Sequence, residues 1–212
     1  NYDFCLVARD RDKLEALKRE LTQKGAEVLS LPVDLAQESV AGDIVDQTIH
    51  HFGRIDVLIN NAGIALNKSV LGSNISIWNK VFSVNVRTPY FLCQECIPHL
   101  KKSSKPVIIN MGSVVDHKGY INQSIYAASK HALAGFTSVL AKEVQQDGIR
   151  VHLISPGGVN TDMVTGVRPE LDTDELIDPG EIANIIAFLC NYSGKGMIDQ
   201  IKIRRFNSLP FD

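Results

Sequence analysis

Val107-Ile108-Ile109-Asn110-Met111-Gly112-Ser113 is followed, after a short connection, by Ser124-Ile125-Tyr126-Ala127-Ala128-Ser129-Lys130, and later by Val151-His152-Leu153-Ile154-Ser155. The first and last runs are short and nearly all apolar, as strands covered on both faces are. The middle run opens a predicted helix over 124–146. Strand, helix, strand with short connections is the crossover that joins parallel strands. The pattern continues in both directions. Further strands are predicted over 4–8, 27–33, 56–60 and 197–203. Further helices are predicted from the Asp10 cap to Gly25, over 39–52, over 74–102 with a kink or irregular turn at Pro89, and over 179–191. The expected fold class is α/β, a doubly wound parallel sheet with helices on both faces, in one domain spanning 1–212.

The 212 residues are 44% apolar and 22% charged, with a formal net charge of −2. A chain of this size buries a sizeable core. Its charge gives no bulk attraction to nucleic acid or an anionic membrane, and no apolar run approaches the ~18 residues that span a bilayer. No signal-peptide pattern is visible. Cys93 and Cys96 form a lone CxxC without a second Cys/His pair, a helix-face coincidence rather than a zinc or redox site. The six histidines show no metal-ligand spacing, so no metal is expected. The expected compartment is reducing, the cytoplasm.

Tyr126 and Lys130 stand at i and i+4 and share a helix face. A cation near a phenol favours the phenolate and is expected to lower the Tyr126 pKa, which suits a group that passes a proton to or from a carbonyl or alcohol oxygen. Ser113, at the end of its strand, is placed to hydrogen-bond the same oxygen. Asn85 lies among apolar residues in a helix interior, where its propensity is poor. Asn60-Asn61-Ala62-Gly63 and Pro156-Gly157-Gly158-Val159-Asn160-Thr161 each follow a predicted strand, at the end where open parallel sheets bind ligands. A packing tyrosine, a solvated lysine, a turn serine and a buried asparagine satisfied by backbone are the plainer readings of the same residues.

Together these motifs resemble the classical short-chain dehydrogenase/reductase family, from about residue 5 to about 203. The resemblance implies a Rossmann fold and a cytoplasmic oxidoreductase that interconverts a carbonyl and an alcohol, most like the 3-oxoacyl carrier-protein reductases. It implies a catalytic set of Asn85, Ser113, Tyr126 and Lys130, with Asn85 holding a proton-relaying water. It places Tyr126 and Lys130 at the nicotinamide ribose, and Asn61, Ala62 and Gly63 on the adenosine side. Asp34 and Leu35 fall at the adenine, although Asp34 reads almost equally well as a helix cap. Pro156, Gly157, Val159 and Thr161 fall along the nicotinamide. Arg9 stands where NADP-type sites place an arginine and Ala8 where NAD-type sites place an acid, which favours NADP(H) over NAD(H). Selectivity is expected in 114–122 and 163–177. The helices from Asn74 and Ser124 are expected to pair two copies in a homodimer or homotetramer, with Cys93 and Cys96 at or near that interface. Neither nucleic acid nor membrane is expected as a partner.

The family's Thr-Gly-x-x-x-Gly-x-Gly phosphate loop is not in this sequence. The chain is expected to start at the second strand of the fold, its first strand-turn-helix unit missing. An NAD-dependent alcohol, sugar or steroid dehydrogenase is the alternative within the family. A non-catalytic dinucleotide sensor or scaffold is the alternative outside enzymes.

Overall fold

The computed structural model describes residues 2–210. Six strands alternate with helices: β1 (Phe4–Ala8), α1 (Arg11–Gln23), β2 (Val28–Pro32), α2 (Val40–Phe52), β3 (Val57–Asn60), α3 (Ile75–Phe82), α4 (Thr88–Leu100), β4 (Val107–Met111), α5 (Ser124–Glu143), β5 (Arg150–Pro156), α6 (Asp162–Val167), α7 (Pro179–Asn191) and β6 (Gln200–Ile203). All pairings are parallel. β1 pairs with β2, and β3-β4-β5-β6 form a separate four-stranded sheet. Among the described residues no hydrogen-bonded pairing joins the β1-β2 pair to the four-stranded sheet, and the α/β architecture with parallel strands is the one expected.

Helices cover both faces. On one, Ile44 and Val45 of α2, Leu92, Cys93, Cys96 and Leu100 of α4, and Leu140 of α5 pack on Ile108 and Val151. On the other, Ile182 and Leu189 of α7 pack on Val107, Ile109 and Ile154. Every residue of β4 is buried, as its unbroken apolar run requires. Cys93 and Cys96 are buried in the first of these clusters. Burial pushes both thiols up to about 12, so neither is a reactive thiolate at neutral pH.

The predicted helix over 74–102 is two helices joined by a π-helical turn, Ser83–Arg87, in which Thr88 N–H reaches back to Ser83 O. Pro89 sits in the first turn of α4. It has no N–H for the carbonyl of Asn85, and its ring crowds that carbonyl. The irregularity therefore falls just before the proline rather than at it, and it delivers the Asn85 side chain inward, 1% exposed.

Candidate active site

The residues expected at the site stand at the C-terminal ends of the strands and on the facing end of α5. A buried amide ladder ties β3 to β4. Asn60 Nδ2 donates to Asn110 Oδ1 at 2.8 Å, and Asn110 Nδ2 donates to Thr137 Oγ1 at 2.9 Å, so β3, β4 and α5 are tied side by side. Asn61 and Ala62 follow β3 and are exposed. A Cβ on Gly63 would lie 3.5 Å from Asn85 Oδ1, 3.8 Å from Lys130 Nζ and 4.0 Å from Met163 Cε. Four segments distant in sequence thus converge at Gly63.

Lys130 is buried, and Nζ donates to Met111 O at 2.6 Å. Nζ also lies 5.9 Å from the centroid of the Tyr126 ring, as the shared helix face dictates. Removal from water pulls the ammonium down to about 8, against the supporting charge of Asp116. The Tyr126 phenol moves the other way. Burial raises it, the hydrogen bond with the Ser113 hydroxyl lowers it by less, and the negative charge of Asp116 raises it further. The expected lowering of the phenol by Lys130 is therefore corrected: loss of hydration for the phenolate outweighs its favourable contacts in the protein as it stands.

Asn85 is fully engaged. Its Oδ1 accepts from Ile64 N–H at 2.8 Å, and its Nδ2 donates to Ile64 O at 2.9 Å and to Ser129 Oγ at 3.0 Å. These bonds hold the segment after Gly63 against α5. Ser113 caps a short 3-10 turn, Val114–Asp116, in a reciprocal capping box: its Oγ accepts from Val115 N–H, and Asp116 Oδ2 accepts from Ser113 N–H. The sequence reading missed Asp116, although Ser-x-x-Asp after a strand is a capping-box signature. It also missed Ser129 as the partner of Asn85 and Met163 beside Gly63. His117 Nδ1 lies 2.6 Å from Asp116 Oδ1.

The remaining positions follow the C-terminal ends of β1, β2 and β5. Arg9 follows β1 and is exposed. Asp10 caps α1 by accepting from Lys13 N–H at 3.0 Å, so it is occupied locally beside Arg9. Asp34 accepts from Ala36 N–H in an Asx turn. Leu35 O accepts from Thr88 Oγ1 at 2.6 Å, which fastens that loop to the start of α4. Pro156 ends β5, and Gly157 N–H donates to Ile203 O at 2.7 Å. Val159 pairs with Ile177. The Thr161 hydroxyl caps α6, accepting from Val164 N–H, and donates to Val159 O. Helix α6 was not anticipated: at six residues it is too short to show a helical period. Among the described residues no cluster of His, Cys, Asp and Glu is placed to hold a metal, and no helix is long and apolar enough to cross a membrane.

A parallel α/β scaffold that gathers these groups at its strand ends has the architecture in which open sheets bind ligands. A model of the short chain dehydrogenase family matches residues 1–172. The chain belongs to that family and is an oxidoreductase. It is 34% identical to carbonyl reductase family member 4 of Xenopus tropicalis over 194 residues, 89% of this chain and 80% of that protein. It is 31% identical to the 3-oxoacyl-(acyl-carrier-protein) reductase FabG of Chlamydia pneumoniae over 206 residues, 93% of this chain and 83% of that protein. A metagenomic short-chain oxidoreductase solved in complex with NADP superposes with a TM-score of 0.82 at 27% identity, covering 96% of this chain and 85% of that one.

Proposed function

We propose that this chain reduces a carbonyl to an alcohol with NADPH, with Ser113, Tyr126, Lys130 and Asn85 as its catalytic set. The observation that carries the reading is convergence. Lys130 Nζ and Asn85 Oδ1 meet at Gly63, Lys130 Nζ lies against the Tyr126 ring, and the Ser113 hydroxyl is near enough to Tyr126 to lower the pKa of its phenol. The names of the two relatives, a carbonyl reductase and a 3-oxoacyl reductase, support a carbonyl substrate of that kind.

The residues present fit a nicotinamide dinucleotide. Among the described residues the Lys130 ammonium spends one hydrogen bond, on Met111 O. An ammonium carries three donors, and the two left over suit the vicinal hydroxyls of a ribose. The adenine end would lie at Asp34, Leu35, Asn61, Ala62 and Gly63, and the nicotinamide end along Pro156, Gly157, Val159 and Thr161. Arg9 is exposed beside an Asp10 already used as a cap. A guanidinium there suits a 2′-phosphate, which favours NADP(H).

When bound, the cofactor supplies the hydride. The Ser113 hydroxyl orients the substrate oxygen and stabilises the charge that develops on it. Tyr126 gives its phenolic proton to that oxygen, and its raised pKa keeps the proton in place until then. Lys130 stabilises the phenolate left behind, and Asn85 positions the segment that faces it and the water that returns the proton. Tyr126→Phe keeps the ring and removes the proton. The expected result is a loss of turnover of about 10²-fold or more, followed as NADPH consumption with an activated ketone. Unchanged turnover would refute the assignment.

The same reading includes self-association through α3 and α5. Ile75 and Trp78 of α3 and Val139 of α5 are exposed apolar side chains on those helices.

A further inference from the structure

We propose that Asp116 is a positioning residue of this active site, a buried carboxylate that locks the Ser113 turn to the strand ends and serves as the counter-charge of Lys130. The inference rests on the catalytic reading of Ser113, Tyr126 and Lys130.

The Asp116 side chain is 1% exposed. An isolated carboxylate at that depth is costly, so its partners must be good. Oδ2 accepts from Ser113 N–H at 3.3 Å and from the Ser155 hydroxyl at 2.5 Å. Ser155 lies in β5 and its Oγ accepts in turn from Gln200 Nε2 of β6 at 3.0 Å. Oδ1 lies 2.6 Å from His117 Nδ1. One carboxylate thus joins the serine turn to the ends of two strands. Gly112 makes room for it: a Cβ there would stand 2.5 Å from Asp116 Oδ2 and 3.0 Å from Ser155 Oγ. Three choices just after β4 (no side chain at 112, the catalytic hydroxyl at 113, the carboxylate at 116) belong to one arrangement.

The groups that feel this carboxylate include His117 on its own turn and Tyr126 and Lys130 on α5. β5 and β6 present the neutral Ser155 and Gln200. Lys130 Nζ is anchored on Met111 O, one residue before the Gly112 backbone against which Asp116 Oδ2 lies; from there the carboxylate's charge favours the ammonium of Lys130 and disfavours the phenolate of Tyr126. That combination, cation with neutral phenol, is the state from which a proton can be given. A residue that only capped the turn would need a hydrogen-bond acceptor but no charge.

The test separates charge from scaffolding. The Lys130 side-chain nitrogen is titrated by NMR in the wild type and in Asp116→Asn, with Lys130→Met to assign the signal, and kcat and kcat/KM for NADPH-driven ketone reduction are followed against pH. In Asp116→Asn the Lys130 midpoint is expected to drop by about one pH unit. The alkaline limb of kcat/KM is expected to move down with it and kcat to fall about tenfold. Asp116→Glu is expected to restore the midpoint but not kcat, because the longer arm cannot hold Ser113 and Ser155 together. An unmoved Lys130 midpoint in folded Asp116→Asn overturns the proposal. If Asp116→Asn does not fold, Ser155→Ala decides: it leaves the charge and removes one donor, so kcat should fall several-fold at an unchanged Lys130 midpoint, and unchanged kcat overturns the positioning role. A wild type that reduces no carbonyl refutes the catalytic reading instead, while the Lys130 midpoints still decide the counter-charge.

Discussion

Replacing Lys130 by Met should stabilise the cofactor-free protein at neutral pH while abolishing turnover. Burial takes the Lys130 ammonium from an ordinary 10.5 to about 8. At ~1.4 kcal/mol for each tenfold change in proton affinity, holding the charge in the folded state costs about 3 kcal/mol at pH 7. Methionine fills a similar volume without that charge. It also strands Met111 O, which loses the donor at 2.6 Å, at a cost of about 1 kcal/mol. The net gain is about 2 kcal/mol, or roughly 4–8 °C in Tm for a chain of this size. The pH dependence has a definite sign. Between about pH 8 and 10.5 the unfolded lysine keeps its proton while the folded one has released it. The unfolded state then binds more protons, and wild-type stability rises with pH through that window. The advantage of Lys130→Met should shrink over the same window and end slightly negative. Urea unfolding of both proteins at pH 7 and pH ~10 measures the difference, with NADPH oxidation as the activity readout. A variant less stable than wild type at pH 7, or a difference that does not change with pH, refutes the argument that the charge is held against desolvation.

Arg9→Ala should cost at least about tenfold in the NADPH/NADH ratio of kcat/KM, through loss of a charge-assisted contact to the 2′-phosphate; an unchanged ratio removes the basis for the cofactor preference. Light scattering at micromolar concentration should give at least a dimer, through the helices that carry Trp78 and Val139, and a monomer ends that reading. His152 is buried with Nδ1 2.6 Å from Ile198 O and Nε2 without a partner among the described residues, and burial depresses its pKa. Stability should therefore be lost as pH falls below about 6.5, where the unfolded histidine takes up a proton that the folded one resists; the slope should flatten in His152→Gln.

The order of strands and helices was legible because most strands are short, largely apolar runs (β6, Gln-Ile-Lys-Ile, alternates instead) and the long helices carry apolar residues at helical spacing. β1 was placed to the residue, and β4 likewise, since Gly112 and Ser113 stop its run. The π turn was not legible. Its sequence, Ser83–Arg87, has ordinary helical hydrophobicity, and only Pro89 beyond it hinted at trouble. The convergence of Gly63, Asn85, Lys130 and Met163 could be expected in part from motifs, but Met163 stands in a segment with no period at all. Asp116 was missed for a different reason. An acid after a serine reads equally as a solvated turn, and what makes it a core residue, Ser155 and Gln200 closing over it from the neighbouring strands, lies 39 residues and more away along the chain.

The error over Tyr126 points to the logic of the site. Sequence spacing supplies the distance between a phenol and an ammonium, but not the water around them, and the two groups respond to burial in opposite senses. The phenol rises and the lysine falls, so at pH 7 the resting pair is a protonated tyrosine beside a charged lysine that is held at a cost. On the proposed reading, that pair is a proton donor with its counter-ion already in place. Asp116 reinforces both halves, opposing the phenolate and supporting the ammonium. The phenolate then becomes favourable only after the proton has moved to a substrate oxygen, when Lys130 and the Ser113 hydroxyl face newly formed negative charge. Interactions that strengthen along the reaction are the ones that accelerate it, and burial of a charged lysine next to a neutral phenol is a way to keep them unspent until then.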